Sequence, residues 1–188
     1  MNASPPHKGI VVAYFLLGQV CWFACVLGAA AGRSLIGIGV CAILVALHLL
    51  RVARPREELK LLAAVMVIGG TWESVVIRCG LLTYPASTLT DGLAPAWLFA
   101  LWVSFAAQFN TTYAWLKTRI PAAALLGVIA GPLSFRAGAA LGALHFAKPI
   151  PAAVTLGLGW AVLLPVITML SRRWDGVSNA PTAGRYCG

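Results

Sequence analysis

Apolar residues fall in six long runs separated by short stretches that hold most of the charge, at about 10–31, 34–50, 59–82, 95–115, 120–139 and 150–171. An α-helix rises about 1.5 Å per residue, so about 20 apolar residues cross a hydrocarbon core of about 30 Å. The pattern predicts an all-α, polytopic membrane bundle of six transmembrane helices. The second run is the shortest and fits at low tilt or by leaning on its neighbours. Lipid offers backbone amides no partner, so each run is expected to be one continuous helix.

The basic residues orient these runs. With the amino terminus inside, the inner side holds Lys8, Arg51, Arg54, Arg56, Lys60, Lys117, Arg119, Arg172, Arg173 and Arg185. The outer side holds only Arg33 and Lys148, and Arg78 and Arg136 lie within or near the spans. This bias predicts both termini inside, and an odd number of spans would scramble it. A rival reading takes Lys8, the first run and the small stretch 28–32 as a cleavable signal; the length of the run, Gln19 and Trp22 speak against it.

Trp97 and Tyr84 are expected at the outer interface, and Trp115 and Trp174 at the inner one. Residues 1–174 form one domain on this reading. The tail, 175–188, has little apolar content and is expected to be disordered. The outer loop 83–94 is the longest clear connection and could fold over the bundle mouth. No internal repeat aligns, although an inverted duplication would suit the topology.

Composition narrows the class. Of 188 residues, 60% are hydrophobic and only 10% charged, against about 25% charged in soluble domains. The polar residues cannot cover a water-facing surface. Basic residues confined to loops indicate membrane orientation, so nucleic acid is not an expected partner. Cys21, Cys25 and Cys41 lie in apolar runs, Cys79 at a helix end and Cys187 in the tail; no disulfide framework or zinc spacing emerges. His7, His48 and His145 lie in three different regions, with no metal-ligand spacing. No catalytic or phosphate-binding motif is present, and nothing implies a metal or cofactor.

Charged side chains inside a bilayer cost several kcal/mol, so Glu73 is the most informative residue. It lies about 14 residues into the third run, roughly 20 Å along the axis. Gly69, Val76 and Gly80 share its face, which suits close helix contact. Arg136, late in the fifth run, reaches a similar depth and is the expected partner. Arg78 competes, but it sits roughly 140° around the helix from Glu73 and could snorkel to headgroups. A Glu73–Arg136 pair serves either packing alone or a functional site, and packing is favoured.

In the fourth run Gln108 and Asn110 project to nearly opposite faces, each continued by small or polar residues. Such a helix is expected at the centre of the bundle, its amides serving as interhelical hydrogen bonds. In the first run Gly18, Cys21, Cys25, Gly28 and Gly32 form a small-residue packing stripe. Gly131-Pro132 and Pro165 are expected to bend the fifth and sixth helices.

Taken in order, the stretch 19–30, Trp72-Glu73-Ser74 with Gly80 and Tyr84, Pro95-Ala96-Trp97 leading to Leu101-Trp102 and Asn110, and Gly131-Pro132-Leu133 with Arg136, Ala137 and Gly138 resemble one family. It is a bacterial inner-membrane family of unknown function (domain of unknown function 2878), and the likeness covers about residues 17–145. The resemblance implies a compact multi-pass protein of the bacterial inner membrane. Members that lie near genes for fatty-acyl modification point by association towards lipid metabolism. It implies no activity.

Three functional readings follow. The first is a lipid-phase binding or accessory protein, in which Glu73, Arg136 and Asn110, with Gln108, Trp72 and Arg78 nearby, hold a headgroup or a partner helix. Membrane lipids are then the expected partners, with other membrane proteins a second class. The second is a small carrier with Glu73 as the titrating group. The third, a lipid-modifying enzyme with Glu73 as base, is the weakest, because an arginine neighbour would make that base poorer.

Overall fold

The computed structural model describes residues 8–85 and 92–178. Six α-helices follow the apolar runs: α1 (Lys8–Ala30), α2 (Ser34–Arg51), α3 (Pro55–Arg78), α4 (Ala96–Ala106), α5 (Ile120–Ala140) and α6 (Pro149–Arg173). All but α4 are long and apolar enough to cross a membrane. Their outer surface is greasy: Leu35 is 79% and Leu50 82% exposed. Lipid is the solvent in which that surface costs nothing. The architecture is that of a multi-pass membrane protein.

Local sequence sets the boundaries. Proline occupies the first turn of α3, α5 and α6, where its missing N–H has no helical partner to lose. α3 therefore starts earlier than hydropathy alone suggests and carries Glu57 and Glu58 in its first turn, where acidic groups meet the positive end of the helix dipole. After Arg78, Gly80 takes a positive φ of 63° and turns the chain into a strand, β1 (Leu82–Thr83). β1 pairs antiparallel with β2 (His145–Phe146), a small ladder that the apolar pattern did not foretell.

The fourth run departs from the expected continuous helix. α4 ends at Ala106, turns follow to Tyr113, and a short 3-10 helix spans Ala114–Thr118. The tighter i→i−3 bonds begin at Gln108 N to Phe105 O (3.1 Å) and Phe109 N to Ala106 O (3.0 Å). Thr111 Oγ1 then donates to the Gln108 carbonyl at 3.2 Å. Short polar side chains compete with the helix ladder in this way. Residues 106–112 are all buried in protein, so the irregular backbone is never offered to lipid. The segment nevertheless continues alongside α3. Ala94 N donates to Ser74 Oγ at one end, and Asn110 Nδ2 to Glu58 at the other. It thus runs antiparallel to 16 residues of α3, about 24 Å.

α5 and α6 form one close hairpin and α1 and α2 another, while α4 packs between α2 and α3 and also touches α1. Glycine permits both hairpins. A Cβ at Gly37 would lie 2.5 Å from the Cys25 Cα, so α1 and α2 touch backbone to backbone. Gly127 does the same for α5 against the Trp160 carbonyl of α6. The expected stripe on α1 is largely buried through Gly18, Cys21 and Cys25. Pro132 and Pro165 stay inside continuous helices.

Both described ends of the chain lie on one side, opposite the β ladder. Tyr14, His48, Glu58, Lys117 and Asp175 are joined there by hydrogen bonds. The tail is not free from residue 175 onward, as composition suggested. Asp175 to Ser178 dock on the bundle, because Arg54, Glu58 and Lys117 offer fixed partners. The rest of the tail, and residues 86–91 of the outer loop, lie outside the described residues. Trp97 and Tyr84 are not interfacial anchors. Both are buried and pack edge to face on each other, with centroids 5.9 Å apart.

Candidate functional site

One face of α3 organises the polar interior. Glu58, Leu62, Val65, Gly69 and Glu73 recur at steps of three and four and are all buried. Gly69 and Gly70 leave no side chain of their own, so Trp102 and Phe99 of α4 close directly onto α3. Ser74 then locks the loop, donating to Gly70 O at 2.7 Å and accepting from Ala94 N at 3.1 Å. Glu73 is thereby held beneath an aromatic wall.

Glu73 is fully buried, and neither carboxyl oxygen has a hydrogen-bond partner among the described residues. Trp102 lies beside it without completing a hydrogen bond. The carboxyl borders a cleft of about 610 Å³ between α1, α4, α5 and α6. Trp97, Trp102 and Trp160 line this cleft, and Trp102 and Trp160 stack with centroids 5.0 Å apart at 18°. α1 and α5 barely touch along it. Trp22 Nε1 of α1 bridges the gap by donating to Ser134 Oγ of α5 at 3.0 Å. The size is that of an ordinary small-molecule site.

The expected Glu73–Arg136 pair is not formed. Arg136 is exposed and makes no ion pair among the described residues. α5 turns Gly127, Gly131, Phe135 and Gly138 inward, and Arg136 follows Phe135 by one residue, roughly 100° around the helix. Arg78 is exposed too and donates to the Gly92 carbonyl at 3.2 Å. Trp72 is half-buried with its indole N–H unpartnered, next to Gly159 of α6. Gln108 lies at the other end of the cleft, close against Gly18, with its Oε1 unpartnered.

Asn110 belongs to a different centre, with Glu58. Glu58 is fully buried and accepts three hydrogen bonds: Asn110 Nδ2 at 2.8 Å, Gly176 N at 3.0 Å, and His48 Nε2 at 2.8 Å. With the proton on Nε2, the His48 Nδ1 accepts from the Tyr14 hydroxyl at 2.9 Å. Lys117 Nζ donates to Asn110 Oδ1 at 2.6 Å and to Asp175 Oδ2 at 2.9 Å. Burial pushes the Asp175 carboxyl up, but the Ser178 amide and the Lys117 ammonium outweigh it and hold the group below its ordinary value. The side chains just named are matched to one another, and of the neighbouring Arg54 only the buried Nε lacks a partner among the described residues, which fits a clasp rather than a binding site.

Sequence reasoning missed this clasp. The apolar pattern singles out Glu73, whereas Glu58 is equally buried. The signal was the spacing itself, since Glu58 falls on the Glu73 face of α3.

Residues 11–166 match the model of a family described as protein of unknown function (DUF2878). No curated protein and no solved structure matches the chain.

Proposed function

The chain belongs to the DUF2878 family, whose function is unknown, and we propose from its site that it binds a small amphiphile drawn from the membrane. One observation carries this reading: a cleft of about 610 Å³, walled by tryptophans, ends on a buried carboxyl without a partner among the described residues. Buried polar atoms in native structures are nearly always satisfied. The near-absence of contact between α1 and α5 supports entry from the side, through the lipid. On this reading the basic end of the bundle is cytoplasmic and the membrane is the bacterial inner membrane.

Native mass spectrometry of the detergent-extracted protein tests the proposal. The wild type should carry a small lipophilic adduct that Ala130→Phe, which fills the cleft from α5, excludes. Equal adduct profiles in well-folded samples of both would count against the cleft as a site.

The break in the fourth crossing supports a second reading, a small carrier. Carriers often bind substrate where a membrane helix is interrupted, and the turn after Ala106 brings Gln108 to the cleft. Proteoliposomes separate the two, since a binding protein gives no flux.

A further inference from the structure

We propose that the cleft is selective for a lipophilic cation, a long-chain alkylammonium being the simplest member of the class. This rests on the cleft being an amphiphile site and adds the charge of its occupant.

Among the described residues, no Lys, Arg or His lines the cleft, and Glu73 is the one acid that does. The nearby arginines are spent elsewhere or face outward: Arg78 bonds Gly92, and Arg136 is exposed. A phosphate or a fatty carboxylate would find no cation in the cleft to pair with beside the Glu73 carboxyl. A chain without a donor would leave both Glu73 oxygens unpartnered, at the cost of burying them dry, and an alcohol would satisfy only one of them. An ammonium supplies what is missing, N–H donors and a positive charge at the same point.

The walls agree with the carboxyl. Trp97 and Trp102 border the cleft with Glu73, and indole faces attract cations, more strongly when water is excluded. The remaining lining suits an alkyl chain. It follows α1 from Phe15 to Val26, and those 11 steps make about 16 Å of mostly apolar surface along the bilayer normal. Gly18 and Gly138 border it without side chains of their own, Gly18 with Gln108 packed directly against it. The ammonium therefore sits at the β-ladder end and the chain runs towards Gln108.

Binding of dodecylammonium and of dodecanol to the purified protein in a nonionic detergent, followed by tryptophan fluorescence, tests the charge. The wild type should prefer the amine by about tenfold or more, the worth of one charge-assisted hydrogen bond. Glu73→Gln should erase that preference while dodecanol binding stays, and Glu73→Asp should keep part of it. Equal binding of amine and alcohol by the wild type would overturn the inference yet leave the amphiphile site standing. Binding of neither would overturn both. The comparison within the wild type needs no variant to fold.

Discussion

Glu58 and Glu73 lie on the same buried face of α3, 15 residues apart, and are both fully enclosed, yet among the described residues Glu58 accepts three hydrogen bonds and Glu73 none. A matched carboxylate holds structure together. An unmatched one is a standing cost, tolerated where something else makes use of it. The two residues divide the interior into a clasp near the described ends of the chain and a cleft near the β ladder.

The division sets opposite stabilities for two equivalent changes. Glu58→Ala should cost about 3–5 kcal/mol, because His48, Asn110 and the Gly176 amide lose a shared acceptor. Glu73→Leu should be neutral or stabilising by about 1–3 kcal/mol, since it removes an unpartnered polar group. Thermal unfolding in detergent measures both. A large loss for Glu73→Leu would mean that Glu73 is matched after all.

The docked tail should depend on pH through Asp175. Its carboxyl is held below the ordinary value, so its contribution is full at neutral pH, starts to fade as pH falls below the unfolded value of about 4, and is gone below the lowered folded value. Limited proteolysis after Trp174 should accordingly rise at strong acid in the wild type. In Asp175→Asn it should be raised at neutral pH already. Proteolysis that ignored both changes would argue that Arg54 and Glu58 alone hold the segment.

The helix hairpins rest on glycine. Gly37→Ala would drive a Cβ into the Cys25 backbone, where no side chain can swing aside. A loss of about 1–3 kcal/mol is expected, the usual cost of overpacking. Gly39→Ala, with nothing within 4 Å, should be silent or slightly stabilising by helix propensity. Equal behaviour of the two would contradict the close approach of α1 and α2.

Topology can be read from thiols. Cys21, Cys25 and Cys41 are buried, while Cys79 is exposed at the β-ladder end of α3. In a chain with Cys187 replaced, an impermeant maleimide should label Cys79 from outside intact cells. Labelling only after lysis would reverse the proposed orientation.

Much of this fold could be read from hydropathy, because lipid demands long apolar helices and leaves few alternatives. The side chains that fill the interior were harder to place. α5 is apolar nearly all round, so composition did not say which face turns inward; the glycines that meet Trp160 decided it, and Arg136 was carried outside. The break after Ala106 was visible as polar crowding at Gln108, Asn110, Thr111 and Thr112, but its outcome depended on burial by neighbouring helices. Glu73 stood out because an isolated acid in an apolar run is costly. Glu58 did not, since a helix start normally solvates its acids, and only the docking of residues 175–178 sealed it.

A lipophilic carbodiimide, which couples to carboxyl groups reached from the apolar phase, tests most directly whether Glu73 faces an accessible cleft while Glu58 is locked away. Peptide mapping of the treated membrane protein should find the adduct on Glu73, diminished by prior dodecylammonium, with Glu58 unmodified. An adduct on Glu58 with Glu73 untouched would contradict the division of the interior on which the proposed function stands.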